Sequence, residues 1–514
     1  MKAVKLVSTP LKSKKGTPHD LIMKRRTQEQ IVAVSGAIGS GLSDVVNRIE
    51  ECFKRYDYDV KKVKASDLII ETIDVLKNNG TIPAGNFTQT EWTDEAQRIK
   101  ELQDRGDWLR SKYGSDIISQ LFIKKISADR QTCITEEEAE RGEAHKEPRK
   151  VVWILDSLKH PEEVRLLRLV YDKMFSLFGV LSSYKDKKHN LVEHLGLSED
   201  SATQLIKRDE SEDINHGQKL IKTLQFGDFF IRSAPYETDR QVKSITRYVN
   251  ILLGDHAVTP THSEYAMYLA QSAAYRSGCM SRQVGAAIVN EQGGIIATGF
   301  NDVPQCGGGL YTEDSPKDAR CFKAGGKCRN DLKKSNIKTG IKNFIHEAGV
   351  KLSDEQVVKL LCSTGISDLT EYCRAVHAEM DAITSAARKG VSLRNGTMFV
   401  TTYPCHNCAK HIIASGIKKV YYIEPYEKSL AIALHDDSIS TVHGQSDVVE
   451  FLPFEGVAPR QYQNRFCSTA EKKTDGKFIK LDLGEETPAY AQLLDCFADY
   501  EVKIVDCLVN NGLE

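Results

Sequence analysis

Two short stretches carry residue types that do chemistry together: His377-Ala378-Glu379 and Pro404-Cys405-His406-Asn407-Cys408. One imidazole and two thiolates at that spacing can hold a zinc ion and leave its fourth position for water. Bound zinc lowers the pKa of water towards neutrality, which makes a nucleophile available. Glu379, two residues past the histidine, is placed to carry protons rather than to bind metal. A Cys-x-x-Cys alone also fits a structural zinc knuckle or a redox pair, and a His-x-Glu alone says almost nothing. A thioredoxin-like pair would leave the acid and the histidine idle. The combination, with Pro404 ahead of the first cysteine, favours a catalytic centre with Glu379 as the catalytic acid/base and His377, Cys405 and Cys408 as metal ligands.

The elements that must position these residues can be read from periodicity. Residues 375–388 read as a helix with His377 and Glu379 near its start, and residues 405–415 as a second helix with both cysteines in its first turn. Helix N-termini favour thiolates, the form zinc requires. Residues 397–402 and 418–423 read as strands. Upstream, residues 264–277 have apolar positions at helical spacing (Tyr265, Met267, Leu269, Ala273). Residues 284–290 and 294–300 then read as a hairpin turned by Glu291-Gln292-Gly293. The order α-β-β-α-β-α-β predicts a three-layer α/β/α domain with both metal-binding helices on one sheet face. Asn301 follows the hairpin directly; its amide suits a substrate sugar hydroxyl and equally suits a turn. Residues 302–372 form a long insertion rich in Gly, Lys and Asp, a candidate lid or allosteric segment. Its Cys306, Cys321, Cys328 and His346, with Cys373 beyond, raise a second zinc site, but their spacings match no standard knuckle and favour free cysteines.

A different pattern stands near the N-terminus. Ile31-Val32-Ala33-Val34 reads as a short buried strand, and Ser35-Gly36-Ala37-Ile38-Gly39-Ser40-Gly41-Leu42-Ser43 follows at once. Residues 44–56 are helix-like. Strand, glycine-rich turn, helix is the context of a phosphate-binding P-loop. Gly36, Gly39, Ser40 and Gly41 supply its backbone, and Ser43 stands where a magnesium-binding hydroxyl would. Leu42 occupies the lysine position, which argues against phosphoryl transfer while leaving backbone N–H groups to bind nucleotide. Further strands are read at 60–63, 151–156 and 226–231, with Asp156 as a magnesium-side acid and Lys207-Arg208-Asp209-Glu210 as a charged lid. A parallel-sheet, nucleoside-monophosphate-kinase-like domain is expected over 29–250, kept for nucleotide sensing or for structure and docking.

The totals set bounds on these readings. At 514 residues the chain exceeds one ordinary core. Lys and Arg number 70 against 71 Asp and Glu, so the chain lacks the basic excess of a protein that coats nucleic acid. Thirteen irregularly spaced cysteines suit reduced thiols and metal ligands rather than a disulfide framework. The basic start (Lys2, Lys5, Lys12, Lys14, Lys15) lacks a signal peptide's apolar core, and no run is long and apolar enough to span a membrane. A cytoplasmic protein is expected, with a flexible basic lead-in over 1–28, a zinc domain over 256–445 containing the insertion at 302–372, and a C-terminal extension over 446–514.

The pattern H-x-E…P-C-x-x-C is the signature of zinc-dependent nucleobase deaminases. Residues 260–445 resemble the deoxycytidylate deaminase branch of the cytidine-deaminase-like superfamily through Ser281-Arg282-Gln283-Val284-Gly285-Ala286, Gly299-Phe300-Asn301, the two metal-site stretches, and Ser415-Gly416-Ile417-Lys418-Lys419-Val420-Tyr421-Tyr422. Joined to the kinase-like N-terminal domain, the whole resembles the bacterial anti-phage dCTP/dCMP deaminases. Glu424-Pro425-Tyr426-Glu427-Lys428-Ser429 and Gly456-Val457-Ala458-Pro459-Arg460 add to the likeness. The resemblance implies hydrolytic deamination of free deoxycytidine nucleotides, depletion of dCTP as antiviral defence, homo-oligomerisation, and in part of the family an inhibitory small RNA or phage-triggered regulator. Two rival functions use the same residues. One is a polynucleotide cytosine or adenosine deaminase, which would need a basic, aromatic strand-binding groove. The other is a nucleotide- or RNA-sensing P-loop module on a scaffold deaminase domain, which would have no use for Glu379.

Overall fold

The computed structural model describes Thr17 and residues 26–83, 86–87, 92, 94–132, 149–210, 219–233, 238–350, 352–363, 372–426, 429–467, 471–485, 491–493 and 496–513. Most of the expected basic lead-in, including its lysines, lies outside the described residues, as do Glu427 and Lys428.

Every residue of β1 (Gln30–Gly36) is buried. A strand of that kind needs parallel neighbours on both edges and helices on both faces. It pairs in parallel with β3 (Val151–Asp156) on one side and β4 (Phe175–Leu181) on the other. With β2 (Asp59–Lys64) and β5 (Phe229–Arg232), the parallel order is β5-β4-β1-β3-β2. Neighbours thus diverge from the C-terminal end of β1, the place where open parallel sheets take ligands.

Helix α1 (Leu42–Lys54) starts there and buries Val45, Val46, Ile49, Cys52 and Phe53. Helices α2 (Glu95–Tyr113), α3 (Ile117–Thr132) and α4 (Pro161–Tyr171) share a core with Ile31 and Ala33. Helices α5 (Tyr184–Glu193) and α6 (Glu199–Glu210) close over the glycine-rich loop, packing Leu191, Leu205 and Ile206 near Ile38. Helix α7 (Thr238–Leu252) lies beside α1 and leads out of this sheet.

The second sheet begins after α8 (His262–Ala274), which carries a Thr261/Glu264 capping box. Strands β6 (Gly285–Val289) and β7 (Ile295–Phe300) form the expected hairpin. The insertion holds α9 (Arg329–Glu347), none of whose residues is buried, and α10 (Asp354–Ser363). Then come α11 (Ala378–Lys389), β8 (Thr397–Thr402), α12 (His406–Ala414), β9 (Lys419–Glu424), β10 (Ile439–Ser440) and β11 (Val449–Pro453), in the sheet order β10-β11-β9-β8-β6-β7.

Two glycines set the layers of this sheet. A Cβ on Gly285 would meet the Ala270 carbonyl of α8 at 1.8 Å, and one on Gly299 would meet the Ala378 carbonyl of α11 at 2.2 Å. Because Gly285 pairs with Phe300 and Gly299 with Ala286, the two glycines face opposite sides. They let one helix pack directly on each face. Helix α12 joins α11 on the Gly299 side, where Ala382, Cys408, Ala409 and Ile412 share one core. Both helices expected to carry metal ligands therefore lie on one sheet face.

The described residues of the C-terminal extension over 446–514 add to both sheets. Strand β11 pairs with β9, whereas β12 (Gly456–Val457) adds antiparallel to β5 of the first sheet. Helix α13 (Pro459–Phe466) follows, and α14 (Ala498–Asn510) docks on α3. The dock is polar as well as apolar. Arg130 of α3 donates to Glu29 at 2.7 and 2.9 Å and to Glu501 of α14 at 3.0 and 3.1 Å.

Asp228, just before β5, ties the returning chain to the first sheet. Its buried carboxylate accepts from the Leu177 N–H at 2.8 Å, Arg168 at 2.8 Å, and Arg460 and Gln461 of α13 at 2.7 Å each. Burial alone would raise its pKa, but the two guanidiniums and the Leu177 N–H outweigh that and hold it below the usual aspartate range. A depressed folded-state pKa contributes stability that is present above the unfolded value and is lost as pH falls through the folded one. Asp228→Asn is therefore expected to cost about 3–5 kcal/mol at pH 7, the scale for breaking a buried charge pair. In denaturant melts this deficit should shrink as pH falls below about 4, where the unfolded wild-type chain begins to take up the proton that the folded carboxylate still refuses. A constant deficit down to pH 2 would contradict the assignment.

No helix among the described residues is long and apolar enough to cross a membrane.

Candidate active site

His377 is the N-cap of α11, and Cys405 the N-cap of α12 with Cys408 in its first turn. Helices α11 and α12 pack side by side, so their N-termini bring the three residues together. The His377 Nδ1 lies 3.3 Å from both the Cys405 and the Cys408 Sγ. Among the described residues these form the one His/Cys/Asp/Glu group whose ligand atoms all lie within 4.8 Å of one another.

The chemistry of this donor set fits zinc. The Cys405 thiol is held down to about 4, first by its hydrogen bond with Cys408 and then by His377, against the opposing effect of burial. Burial pushes Cys408 the other way. Two buried sulfurs and an imidazole nitrogen converge with one thiolate already favoured, which is the nitrogen and sulfur set zinc prefers.

Glu379 sits two residues into α11, only 4 % exposed. Burial raises its carboxyl, and the charge on His377 draws it partly back. Asp381, one turn from His377, accepts the Phe300 N–H at 3.3 Å and ties α11 to the end of β7. Asn301 is 7 % exposed. Its Oδ1 accepts the Val284 N–H at 2.7 Å and its Nδ2 donates to the Arg282 carbonyl at 2.8 Å. Those bonds hold the hairpin base and leave one amide N–H and one lone pair for another partner.

Cys373, first grouped with the cysteines of the insertion, lies close enough to His377 for the imidazole to lower its thiol pKa. It also lines a small cavity of about 30 Å³ with Cys279, Cys321 and Cys328. These four are thus gathered rather than scattered, while Cys306 and His346 are exposed. Cys279 carried no sequence signal, being remote in the chain from the other three. Tyr403 was missed as well. It precedes Pro404, its hydroxyl is buried without a hydrogen-bond partner, and it lines a cavity of about 380 Å³ between the two sheets with Ala37, Tyr422 and Ser429.

In the first sheet, Gly36, Gly39, Ser40 and Gly41 form the turn between β1 and α1, with Gly39 (φ 78°) and Gly41 (φ 74°) left-handed. Ser43 opens onto a cavity of about 770 Å³, whereas Ser40 is buried with its hydroxyl unpartnered. The expected lid residues 207–210 form the last turn of α6, and Asp209 lies buried against the loop.

Such a donor set, with a buried acid beside it, suits zinc-assisted hydrolysis, and comparison with known proteins agrees. Residues 260–424 match the family model described as the cytidine and deoxycytidylate deaminase zinc-binding region, so the chain is a zinc-binding, hydrolytic deaminase. The deoxycytidylate deaminase of Enterobacteria phage T2 is 34 % identical over 163 residues, which span 32 % of this chain and 80 % of the phage protein. That of Saccharomyces cerevisiae is 30 % identical over 167 residues, 32 % of this chain and 39 % of the yeast protein. A crystal structure of the dCMP deaminase of cyanophage S-TIM5 is 20 % identical, covers 38 % of this chain and 100 % of its own, and has a TM-score of 0.23. The chain belongs to the deoxycytidylate deaminase family.

Proposed function

We propose that the protein deaminates free deoxycytidine nucleotides, dCMP and dCTP, to deoxyuridine nucleotides and ammonia. His377, Cys405 and Cys408 are the zinc ligands in this reading, and Glu379 carries the protons. Glu379 is the observation that bears most weight. A carboxyl buried beside the donor set is costly to maintain, and a zinc site kept only for folding has no use for it. The relatives named deoxycytidylate deaminase favour the nucleotide over a polynucleotide.

Zinc, when bound, supplies a water acidic enough to yield its proton near neutral pH. Glu379 accepts the first proton of the attacking water and delivers it to N3 of cytosine as the oxygen joins C4. It then moves the second proton to the exocyclic amine, the C4–N bond breaks, ammonia leaves and a carbonyl remains. Asn301 turns its remaining N–H and lone pair to a sugar hydroxyl.

The first domain, over 29–250, binds nucleotide through Gly36, Gly39, Ser40, Gly41 and Ser43 without transferring phosphate, since Leu42 brings no charge. Its parallel strand order, with the loop and α1 at the point of divergence, supports that reading. In the cell, we assign the enzyme to the cytoplasm as a homo-oligomer that drains dCTP from replicating phage under an inhibitory regulator. That role is supported by the likeness of the two-domain chain to anti-phage deaminases.

Zinc-loaded protein offered dCMP, dCTP, CMP and a cytosine-containing single-stranded oligonucleotide is expected to give uracil products from the free deoxynucleotides, read by chromatography. Product from the oligonucleotide alone, or none from dCMP and dCTP, would overturn the proposal.

A further inference from the structure

The turn between β1 and α1 opens onto the 770 Å³ cavity, yet one of the protein's own side chains already occupies its backbone cradle. Asp209 of α6 is 1 % exposed. Its Oδ2 accepts the Ile38 N–H at 2.7 Å and the Lys159 ammonium at 2.9 Å. Lys159 reaches in from the loop after β3 and also donates to the Gly36 carbonyl at 2.6 Å. The turn is gripped elsewhere too: Asn190 of α5 donates to the Gly39 carbonyl at 2.8 Å, and the Ser40 N–H folds back onto Ala37 at 3.0 Å.

The rest of the cavity is built for an anion with an apolar body. Its wall includes the N-terminus of α1 with Ser43 and Asp44, the guanidinium of Arg48, Arg98 with its partner Glu95 at 2.8 Å, and Ile69, Ile99 and Leu102. The N-terminus of a helix and its exposed N–H groups favour negative charge. Cationic side chains, a glycine turn and an apolar wall together suit a phosphate chain carrying a base. An oxygen anion bonded to a loop N–H and an ammonium is what such a phosphate would be at this place. The carboxylate of Asp209 makes those same bonds with a single charge.

Resting on the reading of the first domain as nucleotide-binding, we propose that Asp209 is an internal plug in the phosphate cradle. A nucleoside phosphate enters by displacing its carboxylate, taking over the Ile38 N–H and Lys159, and frees the end of α6. Lys159 thereby supplies from another strand the ammonium that Leu42 cannot. The device makes occupancy of the cavity and the position of α6 mutually exclusive in one respect: the single Ile38 N–H cannot serve both anions.

The test measures binding of ATP and of inorganic tripolyphosphate by calorimetry to wild type and to Asp209→Asn, with folding of the variant checked by its thermal melt. ATP is chosen because it lacks the cytosine of the deamination site. Removing the competing charge is expected to tighten both ligands by about tenfold or more, the scale of one charge-assisted hydrogen bond. Hydrogen–deuterium exchange on wild type gives a readout without the variant: ATP should speed exchange across residues 199–210. Binding to wild type with no gain in a folded Asp209→Asn overturns the plug and leaves the nucleotide reading standing. So does slowed or unchanged exchange in residues 199–210 on binding. If neither ligand binds either protein, the nucleotide reading fails and the plug with it.

Discussion

Glu379→Ala is expected to bind zinc at the wild-type stoichiometry while turning over deoxycytidine nucleotide about 10²–10⁴-fold more slowly, the range a positioned acid/base contributes. The two halves of that expectation come from different parts of the geometry. The donor atoms of His377, Cys405 and Cys408 already lie within 4.8 Å of one another without help from Glu379. Its carboxyl is buried beside them and has the proton-carrying role to itself in the proposed reaction. The loss should fall on kcat, because a proton carrier acts in the transition state rather than in ground-state binding. Metal content by atomic absorption and steady-state kinetics on dCMP and dCTP check both halves. Loss of zinc along with turnover would move Glu379 from proton carrier to ligand.

Cys405→Ala should lose both zinc and activity. The metal-free enzyme has nothing to bring the pKa of water down from about 15.7 to near 7, so the deficit should exceed that of Glu379→Ala. Cys405 caps α12, and its neighbours hold it as thiolate at about 4. Prolonged chelation of wild type should reproduce the loss of activity, and re-addition of zinc should reverse it in wild type but not in the variant. Full zinc occupancy in Cys405→Ala would refute the ligand assignment.

The second domain was legible because its chemistry and its periodicity lie close together in the chain. Each ligand sits at the start of a helix whose apolar spacing shows on its own, and Thr397–Thr402 falls on the residues read as a strand. The reason for the close packing was less visible. Gly285 and Gly299 look like ordinary strand glycines until the carbonyls of Ala270 and Ala378 are found where their side chains would be. In the first domain the sequence hid β4 altogether. Phe175–Leu181 follows α4 through a single turn, and a short apolar run beside a helix has no period of its own. Asp209 was read as part of a charged lid because the order of residues 207–210 reveals charge but not direction. Only the fold shows Arg208 turned to Asp104 and Asp107 while Asp209 turns in to Ile38. The grouping of Cys279 with Cys321, Cys328 and Cys373 has the same origin, since contacts made across a long insertion leave no spacing to recognise.

Phe454 and Glu455 alone separate β11 from β12, so adjacent segments of chain are stitched into different sheets. Two extended residues reach about 7 Å. Neither sheet can swing or slide against the other by more than a few ångströms without tearing β12 from β5 or β11 from β9. Phe454 is buried against Phe230, and Glu455 accepts from Ser244 of α7 at 2.7 Å, so the tether has no slack of its own. The halves are therefore geared rather than hinged. A displacement at the edge of the first sheet must be passed on as a pull on β11 and, through it, on β9, whose neighbour β8 ends just ahead of Tyr403-Pro404-Cys405. For the same reason, removing the chain after residue 445 would not leave an intact catalytic unit: it would take β11 from one sheet and β12 from the other.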